Sequence, residues 1–164
     1  MEITDVNERS IEIERSEYLE GVLWADEDFR LDKLVDASKI DPFGTGTKAF
    51  WRGFIETAGT ISMKAAGGGD RAYPRVHLKA VYQILVKFLA FMQEEICTRN
   101  GIPWEWDELG RFEFQAKGTF LTVTGQKAVD IVTTLYLGQT VGRSSVRHVV
   151  DRIVVWIPKQ LPRR

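Results

Sequence analysis

Phe50-Trp51-Arg52-Gly53-Phe54-Ile55-Glu56-Thr57-Ala58-Gly59-Thr60-Ile61 is an apolar helical run that reaches a small residue and a glycine and turns straight into alternating sequence. Thr47 precedes it as an N-cap, so the spacing predicts a helix over 48–58, closed by Gly59 as a C-terminal glycine. From Thr60 to Lys64 polar and apolar residues alternate, the period of a half-buried strand.

The same reading extends down the chain. Residues 65–70, with Gly67-Gly68-Gly69, predict a flexible hairpin-like connection, and Pro74 introduces a strand in which Arg75, His77 and Lys79 interleave with Val76, Leu78 and Ala80. Residues 81–97 read as a strongly apolar helix ending near Asn100-Gly101. After a loop at 101–110, Phe112, Phe114 and Ala116 fall on one face of a strand and Arg111, Glu113, Gln115 and Lys117 on the other. Gly118 then makes a tight connection into a strand over 120–124, and helices follow at 126–137 and 143–156. The order from residue 47 is αββαββα, an α+β class with an antiparallel sheet covered by helices on one face.

Upstream, residues 1–42 mix acids with apolar residues at helical spacing and read as one or two short amphipathic helices. Asp41-Pro42-Phe43-Gly44-Thr45-Gly46 is a turn-rich connector. The division is therefore an acidic, partly helical extension at 1–42 and one domain at 43–164. The net charge of −1 hides an asymmetry: residues 1–42 hold 13 acids and 5 bases (−8), leaving 10 acids and 17 bases (+7) for the rest. A basic body suits a polyanion, while the acidic segment opposes indiscriminate adhesion to nucleic acid. A solvated acidic face is the simpler account of that segment.

With a single cysteine, Cys97, the chain has no internal disulfide framework, and among helical apolar residues this thiol reads as inert. No signal peptide or long apolar span opens the chain, so the expectation is a soluble, intracellular protein with no membrane partner. His77 and His148 lack ligand spacing for zinc; His148 reads as a helix-surface residue. The glycine run at 67–69 has no following Lys-Ser/Thr, so nucleotide binding is unsupported and no small-molecule substrate is expected.

The polar faces of the strands carry the functional reading. Thr60, Ser62 and Lys64, then Arg75, His77 and Lys79, then Arg111, Glu113, Gln115 and Lys117 would share one open face, with Arg71 beside them. A β-ribbon enters the DNA major groove, where Arg and Lys read guanine, Gln adenine, and Glu cytosine. An ordinary wet sheet face has the same alternation.

Trp51 to Gly59, together with the αββαββα order over about residues 47–156, resembles the LAGLIDADG homing endonucleases of the single-motif, homodimeric type. Gly53, Phe54, Ile55 and Gly59 fit the motif, Glu56 stands where the family often has Asp, and Arg52 and Thr57 replace residues usually small. The resemblance implies a saddle-shaped sheet that binds double-stranded DNA, and a homodimer paired through Trp51, Gly53, Phe54 and Thr57. Such a dimer would read a roughly two-fold symmetric site. Burial of Trp51, Phe54 and Ile55 in the chain's own core is the competing account of that helix.

The resemblance also implies metal-dependent phosphodiester cleavage, usually with Mg2+, at the helix end occupied by Ala58 and Gly59. The family places a metal-binding acid at the position of Ala58, so the expectation is Mg2+ binding weakened or lost and cleavage very weak or absent. Glu56 lies two positions back, about 200° around the helix, and points elsewhere. Arg143 and Arg147 are candidates for the phosphate backbone, with a solvated helix face as the alternative. The competing functions are a non-catalytic DNA-binding regulator whose acidic N-terminal segment binds protein, and an interaction module whose basic face takes an acidic protein.

Overall fold

The computed structural model describes residues 2–25, 47–64, 72–99, 101, 111–115, 118–138 and 144–156. Among the described residues five helices and four strands follow one another: α1 (Glu2–Ala25), α2 (Lys48–Ala58), β1 (Gly59–Lys64), β2 (Tyr73–Ala80), α3 (Tyr82–Gln93), β3 (Arg111–Gln115), β4 (Gly118–Thr124), α4 (Gln126–Tyr136) and α5 (Ser144–Val154). A π-helical turn, Glu94–Arg99, extends α3 and carries Cys97, half-buried against the core. From α2 onward the order is αββαββα, and the class is α+β. No described helix is long and apolar enough to cross a membrane. The connector at 41–46 and the connections at 65–70 and 102–110 lie outside the described residues.

Thr47 caps α2 as its sequence predicts: its backbone is extended, and its Oγ1 accepts from the Phe50 amide at 3.2 Å. Gly59 closes α2 as expected, its amide donating to the Ile55 carbonyl, but the reason for a glycine there is not a left-handed backbone. Its φ of −149° is ordinary extended backbone. What demands glycine is space, since a Cβ there would lie 2.3 Å from the His77 carbonyl oxygen and 2.5 Å from a Leu78 methyl. The helix turns into β1 with β2 pressed directly against the junction. By contrast Gly125, at φ 69°, needs the left-handed region to turn β4 into α4, and its amide donates to the Pro74 carbonyl at 3.0 Å.

The strands form one antiparallel sheet in the order β1-β2-β4-β3. Ile61 pairs with Val76, Val76 with Val123, and Leu78 with Leu121, which places these residues on the face covered by helices. The β3–β4 hairpin closes one step earlier than expected: Gln115 pairs with Gly118, so Gly118 is a strand residue and not the turn.

Trp51 anchors the core. It is fully buried, with its ring edge-on to Phe50, Phe54 and Phe88 at centroid distances of 4.9, 5.3 and 5.3 Å. Ile84, Leu85, Leu89 and Met92 of α3, Ile131, Val132 and Leu135 of α4, and Ile153 of α5 complete the apolar layer. Trp156 ties the end of α5 to the start of β2 by donating from Nε1 to the Ala72 carbonyl at 2.9 Å. The segment read as an extension does not stand apart: α1 packs along α2, and Trp24 enters the core.

Candidate nucleic-acid interface

The register puts the predicted polar residues on one surface. Thr60 stands opposite His77, which stands opposite Thr122, which stands opposite Arg111; beside that row lie Ser62, Arg75 and Thr124, and on its other side Lys79, Phe120 and Glu113. Directly opposed residues share a sheet face, so three rows of hydrogen-bonding side chains cross the sheet away from the helices. Thr60, Lys64, Lys79, Glu113 and Thr124 are exposed, and Ser62, Arg75, His77 and Thr122 half-buried.

The β4 residues were missed at the sequence level. Phe120, Thr122 and Thr124 alternate with Thr119, Leu121 and Val123, but the strand carries no charge to mark a functional face. His77 is held by two of them. Its Nδ1 lies 2.8 Å from the Thr122 hydroxyl, and its ring stacks on Phe120 at 5.3 Å and 21°. The Arg75 guanidinium, a donor only, approaches the same Nδ1 at 3.3 Å, which favours the tautomer with the proton on Nε2. Burial, then the Arg75 charge, lowers the His77 pKa, against a smaller opposing pull from Glu113. At pH 7 the imidazole is neutral, a donor and acceptor suited to base edges more than to phosphate. Lys79 lies over the Phe120 ring, 5.8 Å from its centroid.

Arg71, Lys117 and Arg143 lie outside the described residues, and Arg111 and Gln115 are placed by backbone register alone. Arg147 and His148 are exposed on α5, as a helix-surface reading expects.

Ala58 is the last residue of α2, packed against the core, and Gly59 opens β1. The side chain that resembles a motif acid, Glu56, is committed elsewhere. It is buried, and its two carboxylate oxygens accept from the Tyr18 hydroxyl at 2.7 Å and the Tyr136 hydroxyl at 2.6 Å. Burial and the adjacent carboxylate push the Tyr136 phenol well above its usual range, so it remains a donor. Among the described residues no group of three or more His, Cys, Asp or Glu gathers where a cation could be held. A divalent ion at the α2 end does not fit the described side chains.

The residues assigned by resemblance to a chain–chain interface are accounted for differently. Trp51 and Phe54 are fully buried in the core of the same chain; Thr57 is exposed. Gly53 faces α1 of the same chain, where a Cβ would lie 2.0 Å from the Tyr18 carbonyl oxygen. Arg52, a departure from the small residue of the motif, is fully buried; it donates to the Leu135 carbonyl at 2.8 Å and forms an ion pair with Glu14 of α1. Burial lowers the Arg52 pKa, and Glu14 is the largest influence opposing that.

The sequence signal for this contact lies in spacing. Glu14, Tyr18 and Gly21 fall on one helical face at i, i+4 and i+7, and Arg52 and Glu56 at i, i+4. Comparison of the chain with family models, with curated proteins and with solved structures finds no match.

Proposed function

We propose that this protein binds double-stranded DNA sequence-selectively through the open face of its sheet, in the manner of a homing endonuclease whose cleavage is disabled at Ala58. The observation that carries the reading is the strand register, which gathers Ser62, Arg75, Lys79 and His77 with Thr122 on one surface while the opposite surface holds the core. Major-groove readout needs long donors and acceptors on a stiff support, and a sheet packed on its other side supplies that stiffness. The non-catalytic form of this reading, a DNA-binding regulator, is supported by Ala58, which gives the end of α2 no carboxylate.

Selection on random duplexes with Mg2+, using this chain and Ala58→Asp, tests both forms. Recurrent enrichment by both proteins supports DNA recognition. Cutting by Ala58→Asp alone supports a nuclease silenced at one residue, whereas enrichment without cutting by either supports the regulator. Metal-dependent nicking by the unmodified chain refutes the disablement, and absence of enrichment refutes DNA recognition altogether.

A further inference from the structure

Phe120 is a large apolar side chain placed outside the core. The apolar cluster takes Leu121 and Val123 from β4, and Phe112 of β3 packs against it, but Phe120 stands on the opposite face, level with Lys79 and Glu113. Half-buried there, it has polar neighbours: the His77 ring lies nearly parallel to it, at 5.3 Å and 21°, and the Lys79 ammonium lies 5.8 Å from its centroid. Lys79, Phe120 and His77 form a short column on the open surface.

The last ring of that column is held by its edge. Nδ1 of His77 meets the Thr122 hydroxyl at 2.8 Å and the Arg75 guanidinium at 3.3 Å, which fixes the imidazole while one of its faces rests on Phe120. The other face lies on the side of the neighbouring row, Ser62, Arg75 and Thr124, where serine and threonine are short. An aromatic face held in place beside short side chains can take a flat π-system, and Arg75 keeps further N–H donors for a phosphate next to it.

A fully paired duplex offers this feature nothing to stack on. Each of its bases is covered above and below by neighbours, and the major groove presents base edges, which Arg75 and Lys79 can read but an aromatic face cannot use. The apolar mark in that groove, the thymine methyl, could be met by Phe120 without a fixed imidazole laid against it. Aromatic faces recognise bases that have left the stack.

We propose that the His77–Phe120 pair is a seat for one unpaired base, so that the sheet face prefers DNA with a base out of the stack to the same DNA fully paired. Resting on the DNA reading above, this names the form of DNA that the face takes: paired arms held by the surrounding cations and one base stacked on His77.

Fluorescence anisotropy with the full chain tests this on a fully paired DNA duplex, the same duplex with one unpaired adenine bulged from a strand, and the bulged duplex made of RNA. The bulged DNA is expected to bind about tenfold more tightly than the paired DNA, within the range of one base–aromatic stack. A bulge also makes a duplex easier to bend, so two variants separate stacking from bending. Phe120→Leu keeps an apolar side chain without a ring, and His77→Ala removes the seat itself; each is expected to abolish the difference between bulged and paired DNA. Should both variants fail to fold, the unmodified chain still decides: the His77 ring protons are expected to move upfield with bulged DNA, under the ring current of the stacked base, and their failure to move overturns the proposal. Equal affinity for paired and bulged DNA, or a preference that survives both variants, overturns the seat and leaves duplex recognition standing. Tighter binding of the bulged RNA overturns the assignment to DNA, and binding to none of the three overturns both the seat and DNA recognition.

Discussion

Glu14 and Arg52 show how the worth of an interaction depends on which partner is removed. Arg52 is fully buried, whereas the Glu14 side chain keeps 22% of its surface in solvent. Glu14→Ala leaves a buried guanidinium without its carboxylate and is expected to cost about 3–5 kcal/mol, the range for an orphaned buried charge. Arg52→Met leaves Glu14 able to turn to water and the Leu135 carbonyl short of one donor, a loss of about 1–3 kcal/mol. Chemical denaturation of the two variants checks the order, and Arg52→Met proving the costlier would contradict this account of the ion pair.

His77 gives a pH dependence with a definite sign. Its folded pKa lies below the 6.5 usual for a free imidazole, so the unfolded chain binds the proton more readily. The contribution of this group to stability is complete above about 6.5 and is lost as pH falls through that value toward the lowered folded pKa. A phosphate-rich ligand favours the protonated ring, so DNA binding is expected to tighten over the same fall in pH, and His77→Gln to remove that dependence. NMR titration of the His77 ring, free and with duplex, measures both; a free midpoint above 6.5 would contradict the burial argument.

At the scale of elements, the α2–β1 junction depends on Gly59 for space. Gly59→Val would drive a branched side chain into the His77 carbonyl and the Leu78 side chain, and is expected to cost about 1–3 kcal/mol or more by overpacking. Thermal unfolding of Gly59→Val reports that loss, and a substitution tolerated without a change in Tm would mean that β2 does not press on the junction. The glycine itself was legible in the sequence as a helix end, but its physical reason was not. A helix-closing glycine and a glycine crowded by a neighbouring strand are the same letter, and only the approach of β2 distinguishes them. β4 was read as a strand and yet overlooked as part of the polar face, because Thr122 and Phe120 gain their role from His77, 45 residues away in the case of Thr122.

For the whole molecule, opposite charges are divided between the two ends of the sequence, −8 over residues 1–42 and +7 over the rest. Exposed Lys64 and Lys79 on the sheet face are the cations best placed to meet phosphate. If each neutralises one phosphate, Lys64→Ala and Lys79→Ala should each reduce the slope of log affinity against log salt by about 0.9, while changing sequence preference little. An unchanged slope for both would remove the sheet face from the binding surface. Deleting residues 1–42 is not a test of charge alone, because it strips α1 from α2 and uncovers the Gly53 face.

The order of helices and strands from residue 47, the inward and outward faces of β1 and β2, and the N-cap at Thr47 were determined by the sequence alone. Each follows from local periodicity or a single side-chain hydrogen bond, and neither depends on distant residues. The partner of α2 was decided only by the tertiary structure. Helical periodicity shows that a surface around Gly53 will pack closely against something, but does not say against what. The choice rests on where Glu14 and Tyr18 meet Arg52 and Glu56, 38 residues along the chain in each case. The helical spacing of each segment marks a face, but nothing in either segment read by itself names the other as its partner.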